Sequence, residues 1–331
     1  MTTPGTAGAR ASGADGSQAP RAAPRVAVLI PCYNEVVAIP KVVADFRRAL
    51  PQASLHVYDN NSRDGTAEAA RAAGAIVRRE ALQGKGHVIR RMFADVEADI
   101  YVLVDGDDTY DAADAPRMVA LLQEEQLDMV NGVRVTEIQA AYRPGHRLGN
   151  ALLTGIVAHI FGNRVSDMLS GYRVFSRRFV KSFPALAAGF ETETEFTVHA
   201  LELRMAVGEV PTAYRDRPAG SASKLRTYAD GLRILRTIMV LVKEERPLQF
   251  FFAMGGGLML LALAIGIPVV LEFLRSGLVP RLPSAVLSAS VMLLAFLSFT
   301  CGLILDSVAR GRKEMKRLAY LAVPGVPAGQ G

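Results

Sequence analysis

Tyr101-Val102-Leu103-Val104-Asp105-Gly106-Asp107-Asp108-Thr109-Tyr110-Asp111 is the stretch whose reading decides the fold. Its first four residues form a short apolar, partly β-branched run, the pattern of a buried strand. Carboxylates follow closely at Asp105, Asp107, Asp108 and Asp111. A strand ending in Asp-Gly-Asp delivers hard oxygen ligands to the carboxyl edge of a sheet, where open α/β sheets bind ligands. Gly106 lets the backbone turn, so that Asp105 and Asp107 can converge on one Mg²⁺ or Mn²⁺. Such an ion neutralises the phosphates of a bound nucleotide and stabilises a departing diphosphate. The plain alternative is an acidic turn that caps the next helix, and the flanking chain decides between the two.

Upstream, Val26 to Ile30 is a continuous apolar run closed by Pro31-Cys32-Tyr33-Asn34-Glu35, and a helix is predicted from about Val36 to Leu50. Leu55 to Tyr58 predicts a second strand ending in Asp59-Asn60-Asn61-Ser62-Arg63-Asp64-Gly65-Thr66, a polar turn with Asp64 or Thr66 as helix cap. Ala75 to Arg78 predicts a third strand, and Gly84-Lys85-Gly86 opens a helix to about Glu97. Downstream, a helix is predicted near Ala115 to Glu125 and a strand at Asp128 to Val133. Apolar strands alternating with helices predict a mainly parallel sheet covered on both faces. Polar clusters follow strand ends three times, at Glu35, at Asp59 and at Asp105/Asp107, which chance turn chemistry explains poorly.

The chain has 331 residues, half of them hydrophobic, and a net charge of +6. Much of the positive charge lies near the hydrophobic C-terminal third, which points to anionic lipid or phosphate groups and not to nucleic acid. Two cysteines, Cys32 and Cys301, support neither a disulfide framework nor a zinc site. A reducing, cytosolic setting for the polar part follows. Residues 1–24 are rich in Ala, Gly, Ser, Thr and Pro without an apolar signal core, and read as a disordered tail.

Ile30-Pro31-Cys32-Tyr33-Asn34-Glu35, Asp59 to Thr66, Gly84-Lys85-Gly86 and Asp105-Gly106-Asp107 resemble, in order, the motifs of family 2 glycosyltransferases. More narrowly the chain is similar to the polyprenyl-phosphate branch, the dolichyl-phosphate mannose synthase-like enzymes, over about Arg25 to Arg226. The resemblance implies a GT-A fold and a nucleotide-sugar donor. It would place Pro31, Tyr33, Glu35 and Asp59 around the nucleotide, and Asp105 and Asp107, with Gly106 between them, at the diphosphate and its Mg²⁺ or Mn²⁺. The branch often carries Asp-Ala-Asp-Leu-Gln, where this chain has Asp108-Thr109 after its second Asp. The residue chemistry agrees. Tyr33 can bracket a base, Asp59 can accept from a base or ribose, and Lys85 between two glycines can approach a phosphate. Lys85 is not part of a Walker A loop, and its alternative is a solvated lysine at a helix start.

From Asn131 onward Arg134, Arg143, His146, Arg147 and Arg173 punctuate an apolar region. Arg134 is assigned to the donor, and Arg143, Arg147 and Arg173 to an acceptor phosphate. Leu148 to Phe161 is too short to span a bilayer and reads as a buried or interfacial helix. Ser166-Asp167-Met168-Leu169-Ser170-Gly171-Tyr172-Arg173 resembles the family's S-D-x-x-S-G-[YF]-R motif. Asp167 is the candidate base. An ionised lipid phosphate is itself the nucleophile, so Asp167 orienting Arg173 or Arg147 is the favoured alternative. Glu191 and Glu195 share a face if helical and resemble the family's G-[FM]-E-x-x-x-E, before an apolar helix at Phe196 to Ala206; dipole partnering is the alternative. Tyr214 to Lys224 resembles the family's R-x-R-x-x-G-x-S-K loop with one residue more, in which Arg217, Ser223 and Lys224 would bind phosphates.

Residues 225–247 read as a basic amphipathic juxtamembrane helix. Leu248 to Leu271 and Pro283 to Leu305 carry no charge and are each long enough to cross the ~30 Å hydrocarbon layer, so 248–305 is predicted to form two transmembrane helices. Basic residues crowd the outer ends, Arg310 to Arg317 on one side and Lys243 and Arg246 on the other. That places residues 25–224, the GT-A domain, and the basic tail 306–331 in the cytoplasm. The combined expectation is a membrane-anchored inverting glycosyltransferase that attaches a sugar, from GDP-mannose or UDP-glucose, to a polyprenyl phosphate. Transfer to a growing polysaccharide is a rival that the absence of tryptophan disfavours, since its acceptor motif contains one. A non-catalytic nucleotide- or lipid-binding membrane scaffold is the rival of another class. The two spans can pair within one chain or between protomers.

Overall fold

The computed structural model describes residues 23–135, 165–189, 191–215, 240, 243 and 246–326. β1 (Val26–Cys32), α1 (Ile39–Ala49), β2 (Ser54–Asp59), α2 (Thr66–Ala72), β3 (Ile76–Arg79), α3 (Lys85–Asp95) and β4 (Ile100–Leu103) succeed one another as strand and helix. A 3₁₀ turn at Ala112–Asp114, then α4 (Ala115–Glu124), β5 (Met129–Val135), β6 (Arg173–Ser176), α5 (Arg177–Ser182), α6 (Thr192–Glu202) and β7 (Val207–Ala213) complete the domain. The strands form one sheet in the order β3-β2-β1-β4-β6-β5-β7. β1 is parallel to β2 and β4, β2 to β3, and β5 to β7.

β6 is the exception, running antiparallel between β4 and β5. Its register sets Arg173 opposite Leu103, so the residues just before β6 lie beside the acidic loop that follows β4. Alternation along the strands builds a core on each face. Val28, Ile30, Val102 and Val104 pack with Phe46, Met118 and Leu122, whereas Ala27, Leu29, Tyr101 and Leu103 pack with Phe93, Phe175 and Phe196. On that second face Phe175 stacks on Phe179 at 4.5 Å, and Phe183 meets Phe196 at 4.8 Å. Each such ring pair adds about 0.5–1.5 kcal/mol beyond the area it buries.

α6 is buried along its whole length although it reads Thr-Glu-Thr-Glu-Phe-Thr-Val-His-Ala-Leu-Glu. It begins at Thr192, earlier than the apolar run at Phe196 predicts. Several of the polar side chains have internal partners: Thr192 donates to Gly189 O (2.8 Å), Thr197 accepts from Arg173 (3.0 Å) and His199 meets Ser182 (3.1 Å). Burial in the phenylalanine cluster, with Lys316 nearby, pulls His199 down to about 3, so its ring is neutral.

Two long apolar helices follow, α7 (Pro247–Ser276) and α8 (Leu282–Leu321), both long and apolar enough to cross a membrane. They pack as a hairpin, with Ser288 Oγ donating to Ala262 O at 2.8 Å. A Cβ on Gly255 would lie 2.7 Å from Phe299, so glycine permits that close approach. α8 does not stop at 305. It continues as helix to Leu321, through most of the basic tail, and docks on the domain. There Lys316 meets Glu202 (2.7 Å), and Tyr320 donates to Asp128 (2.8 Å) beneath the Arg178 guanidinium. The disordered-tail expectation for residues 1–22, the interfacial segment Leu148–Phe161, and most of the amphipathic 225–247 stretch lie outside the described residues.

Candidate active site

The site is built where β1, β2, β3 and β4 end. After β1, Asn34 N donates to Ser62 Oγ (2.9 Å) and Glu35 N to Thr66 Oγ1 (2.8 Å). Arg63 N returns a bond to Asn34 Oδ1 (2.9 Å), so the loops after β1 and β2 are laced together. Ser62 N lies 3.3 Å from both Asp59 carboxylate oxygens. Asn60 Nδ2 donates to the Glu80 and Leu82 carbonyls, and its Oδ1 accepts from Gly84 N (2.7 Å). The strand ends are therefore one cross-linked rim. Asn34, Asn61 and Asp108 sit in the left-handed region (φ 53°, 66° and 59°), which Asn and Asp tolerate better than other side chains. On this rim Glu35 and Asp59 are buried, whereas Tyr33 is exposed.

β4 delivers the acidic residues to the same edge. Gly106 makes the turn possible by close approach, since a Cβ there would lie 2.4 Å from Cys32 Sγ. Asp107 is buried and accepts from Thr109 Oγ1 (2.6 Å) and Thr109 N (3.3 Å). Asp108 turns away to Lys41 on α1 (2.7 Å), and Asp111 caps the 3₁₀ turn through Ala113 N (3.0 Å) while pairing with Arg215. The four carboxylates thus divide: Asp105 pairs with Lys85, Asp107 is buried against Thr109, and Asp108 and Asp111 hold α1 and the 3₁₀ turn.

Lys85 is not a solvated lysine. Its ammonium lies 2.5 Å from Asp105 Oδ1 and 2.5 Å from Glu193 Oε1, with the side chain 9% exposed. Burial alone would lower its pKa, but Asp105 and Glu193 together hold it above the ordinary lysine range. Burial raises Glu193, against the opposing pull of Lys85. Glycines flank Lys85 because the Ala187–Ala188 backbone presses on this turn. A Cβ on Gly84 would lie 2.2 Å from Ala188 O, and one on Gly86 2.1 Å from Ala187 O. That backbone is in turn held by Glu195, which accepts from Leu186 N and Ala187 N at 2.9 Å each. Of the acidic trio, Glu193 enters the site, Glu195 anchors the supporting loop and Glu191 is the first residue before α6. Helical spacing pairs Glu191 with Glu195, and only a strand would have put Glu193 on their face. Only the docking of α3 against α6 singles it out.

Gly171 is a second residue whose role spacing does not reveal. A Cβ there would lie 2.3 Å from Asp105 Oδ2, so its bare backbone forms the wall against which that carboxylate rests. Tyr110 OH accepts from Gly171 N (2.8 Å) and fixes the wall to the acidic loop.

Asp167 receives Arg134 bidentately, Nε to Oδ2 at 2.7 Å and NH2 to Oδ1 at 2.8 Å. Desolvation would raise its pKa, but Arg134 overrides this and keeps it below the ordinary aspartate value. The arginine that Asp167 orients is therefore Arg134, where Arg173 or Arg147 was expected. Arg134 also lies 5.5 Å over the Tyr214 ring, so its fork and one face are engaged by protein. Arg173 departs from its expected place at an acceptor phosphate. It is fully buried, donating to Met168 O (2.6 Å), Ser170 O (3.1 Å) and Thr197 Oγ1 (3.0 Å), and burial pulls it down to about 10. It ties β6 to α6 from inside. Arg143, His146, Arg147, Arg217, Ser223 and Lys224 lie outside the described residues. The chain leading toward Arg217 is anchored at the acidic loop: Arg215 N donates to Thr109 O (2.8 Å), and Tyr110 bridges Tyr214.

The residues present suit a divalent cation of the Mg²⁺ or Mn²⁺ kind. Such ions take one or two carboxylates and complete their shell with substrate phosphates and water. Among the described residues no group of three His, Cys, Asp or Glu side chains is gathered, and Asp105 and Asp107 are the candidate carboxylates on this edge. Lys85 already places a positive charge against Asp105, so the position accommodates a cation.

Residues 27–183 match the profile of glycosyl transferase family 2. Glycosyltransferase AglJ of Haloferax volcanii is 32% identical over 303 residues, covering 89% of this chain and 98% of that one. The chain belongs to glycosyl transferase family 2. A dolichyl-phosphate hexose transferase of the same organism is 29% identical over 221 residues, 67% of this chain and 95% of the relative. The fold is GT-A-like. Glucosyl-3-phosphoglycerate synthase of Mycobacterium tuberculosis, solved with Mn²⁺, UDP and its product, superposes with a TM-score of 0.55 at 23% identity over 66% of this chain and 80% of that one.

Proposed function

We propose that this family 2 enzyme transfers a sugar from a nucleotide-sugar donor to a polyprenyl phosphate, inverting the anomeric carbon. The observation that carries this reading is the joining of the Asp105/Asp107 strand edge to two apolar helices, one of which docks on the same domain. A donor site attached in this way suits an acceptor that cannot leave the bilayer. Likeness to a relative named for dolichyl phosphate supports the same class of acceptor.

In this reading Tyr33, Glu35 and Asp59 hold the nucleotide on the cross-linked rim. Asp105 and Asp107 would hold Mg²⁺ or Mn²⁺, which supplies charge stabilisation to the leaving diphosphate. Lys85, Arg217, Ser223 and Lys224 add donors toward the same phosphates. The acceptor phosphate is ionised at neutral pH and attacks directly, so no protein base is needed. Asp167 then keeps Arg134 in place instead of taking a proton. Arg143 and Arg147 receive the acceptor phosphate. The catalytic domain and its basic flanks face the cytoplasm, following the distribution of Arg and Lys around the spans.

The test is transfer of label into the organic phase from GDP-mannose, UDP-glucose and related donors, with polyprenyl phosphate in detergent and with Mn²⁺ or EDTA. Metal-dependent transfer from one donor supports the reading and names the sugar. A protein that binds the nucleotide yet transfers nothing to the lipid from any donor refutes it.

A further inference from the structure

Lys85 occupies an unusual position, because one ammonium is shared by two carboxylates of very different exposure. The Asp105 side chain is 30% exposed and faces the rim, whereas the Glu193 side chain is 6% exposed. Asp105 is backed on one side by Gly171, where an added Cβ would lie 2.3 Å from its Oδ2. Glu193 Oε2 is buried and has no hydrogen-bond partner. A lone-pair site within an otherwise satisfied cluster is costly unless something uses it. The ammonium carries three donors and can rotate about its flexible stem.

We propose that Lys85 is a built-in placeholder cation that covers Asp105 until a divalent ion arrives, and that Glu193 is the positioning residue that then retains it. This deepens, and rests on, the metal-dependent transfer proposed above. In the ligand-free protein the ammonium keeps Asp105 and Asp107 from repelling each other across the rim. A divalent ion held by Asp105 would compete for the carboxylate that Lys85 now pairs with, and Lys85 would give up that bond. Its freed donor passes to Glu193 Oε2, so the charge stays beside the site and can still face a phosphate. No bond other than hydrogen bonds and metal–oxygen contacts changes. The exchange lowers the affinity of the bare site for metal and keeps Lys85 ordered once the metal is in.

The test is a double-mutant cycle on Mn²⁺ affinity, read by electron paramagnetic resonance of free Mn²⁺ with the full chain in detergent. Glu193→Gln keeps the shape and removes the acceptor charge, so Lys85 stays on Asp105 and affinity falls by about tenfold, the scale of losing a residue that supports a metal ligand. Glu193→Asp keeps the charge but shortens the reach, and weakens Mn²⁺ similarly. Lys85→Met removes the competitor and tightens Mn²⁺ binding. In that background Glu193→Gln changes affinity by less than about twofold, because the residue it acts through is gone. An equal loss in both backgrounds overturns the proposal, since it reports only a long-range field. Unchanged affinity in Glu193→Gln, in a protein that transfers sugar with Mn²⁺, overturns the placeholder and leaves the transfer reaction standing. Failure of the unmutated protein to bind Mn²⁺ overturns both.

Discussion

Gly171→Ala tests whether Asp105 must sit where the fold holds it. The new methyl would lie 2.3 Å from Asp105 Oδ2, 2.8 Å from its Cγ and 3.2 Å from Oδ1. Non-bonded atoms settle near ~3.5 Å, so the carboxylate must move by roughly 1 Å. It cannot turn freely, because Oδ1 is held by Lys85 and Lys85 by Glu193. Its side chain is partly exposed, however, so the strain can relax into the open rim. The stability cost then lies near the low end for overpacking, about 1 kcal/mol, or about 2–4 °C in melting temperature for a domain of this size. Function responds differently, because a misplacement of about 1 Å at a reacting centre can cost about 10²-fold. The expected result is a protein that melts within a few degrees of the parent but transfers sugar about a hundredfold more slowly, measured by organic-phase label and differential scanning fluorimetry. Near-parental transfer in a stable Gly171→Ala protein would refute the assignment of Asp105 to the diphosphate and its metal.

Asp167 has a depressed pKa, so its contribution to stability is present above the unfolded aspartate value of about 3.9 and is lost as pH falls through the lower folded value. Unfolding of the parent should therefore steepen below about pH 4, and Asp167→Asn should flatten that limb while costing about 3 kcal/mol at neutral pH by leaving Arg134 without its carboxylate; a denaturant series across pH reads both. Gly86→Ala should destabilise by about 1–3 kcal/mol despite the better helix propensity of alanine, because the Cβ would meet Ala187 O at 2.1 Å. A stabilised variant in chemical denaturation would show that the turn is not pressed by that backbone. Tyr320→Phe removes the bond to Asp128 but leaves Arg178 and Ser176 on the same carboxylate, so the loss should be about 1 kcal/mol. Faster hydrogen exchange confined to the last turns of α8 would report it, and unchanged protection would show that this end is held by other contacts.

The half of the sheet from β1 to β4 was legible because β1 and β4 are continuous apolar runs followed by polar turn residues, and β2 and β3 carry shorter apolar stretches between them. Those signals survive in a single sequence, since buried parallel strands need apolar side chains on both faces. β6 and β7 were not legible. Arg173-Val-Phe-Ser opens with a charge that only its internal carbonyl partners make tolerable, and Val207–Ala213 carries a glycine, a glutamate and a proline. The helix at α6 was legible from its apolar half, but its start was not: spacing does not show that the Thr-Glu-Thr-Glu turn before Phe196 is buried as well. In the site, Asp105, Asp107 and Lys85 stood out as residue types in a motif. Glu193 and Gly171 did not, because each acquires its role from a chain segment far away in sequence.

That pattern gives α6 a meaning beyond packing. Its first turn carries Glu193, which holds Lys85 against Asp105, and its last turn carries Glu202, which holds Lys316 of α8. Nine residues at 1.5 Å rise place the two carboxylates about 14 Å apart along one helix. Between them Arg173 clamps α6 to β6 through Thr197, and the phenylalanine cluster fills the space beneath. α6 is therefore a single rigid element whose ends touch the acidic rim and the long apolar helix. A buried ion pair at each end adds little net stability, since desolvation offsets much of the attraction, but breaking either one leaves an uncompensated charge in the core. What such pairs do well is fix a register. In this chain they fix the height and rotation of the acidic rim relative to α8, the quantity that the proposed membrane-bound acceptor would require to be constant.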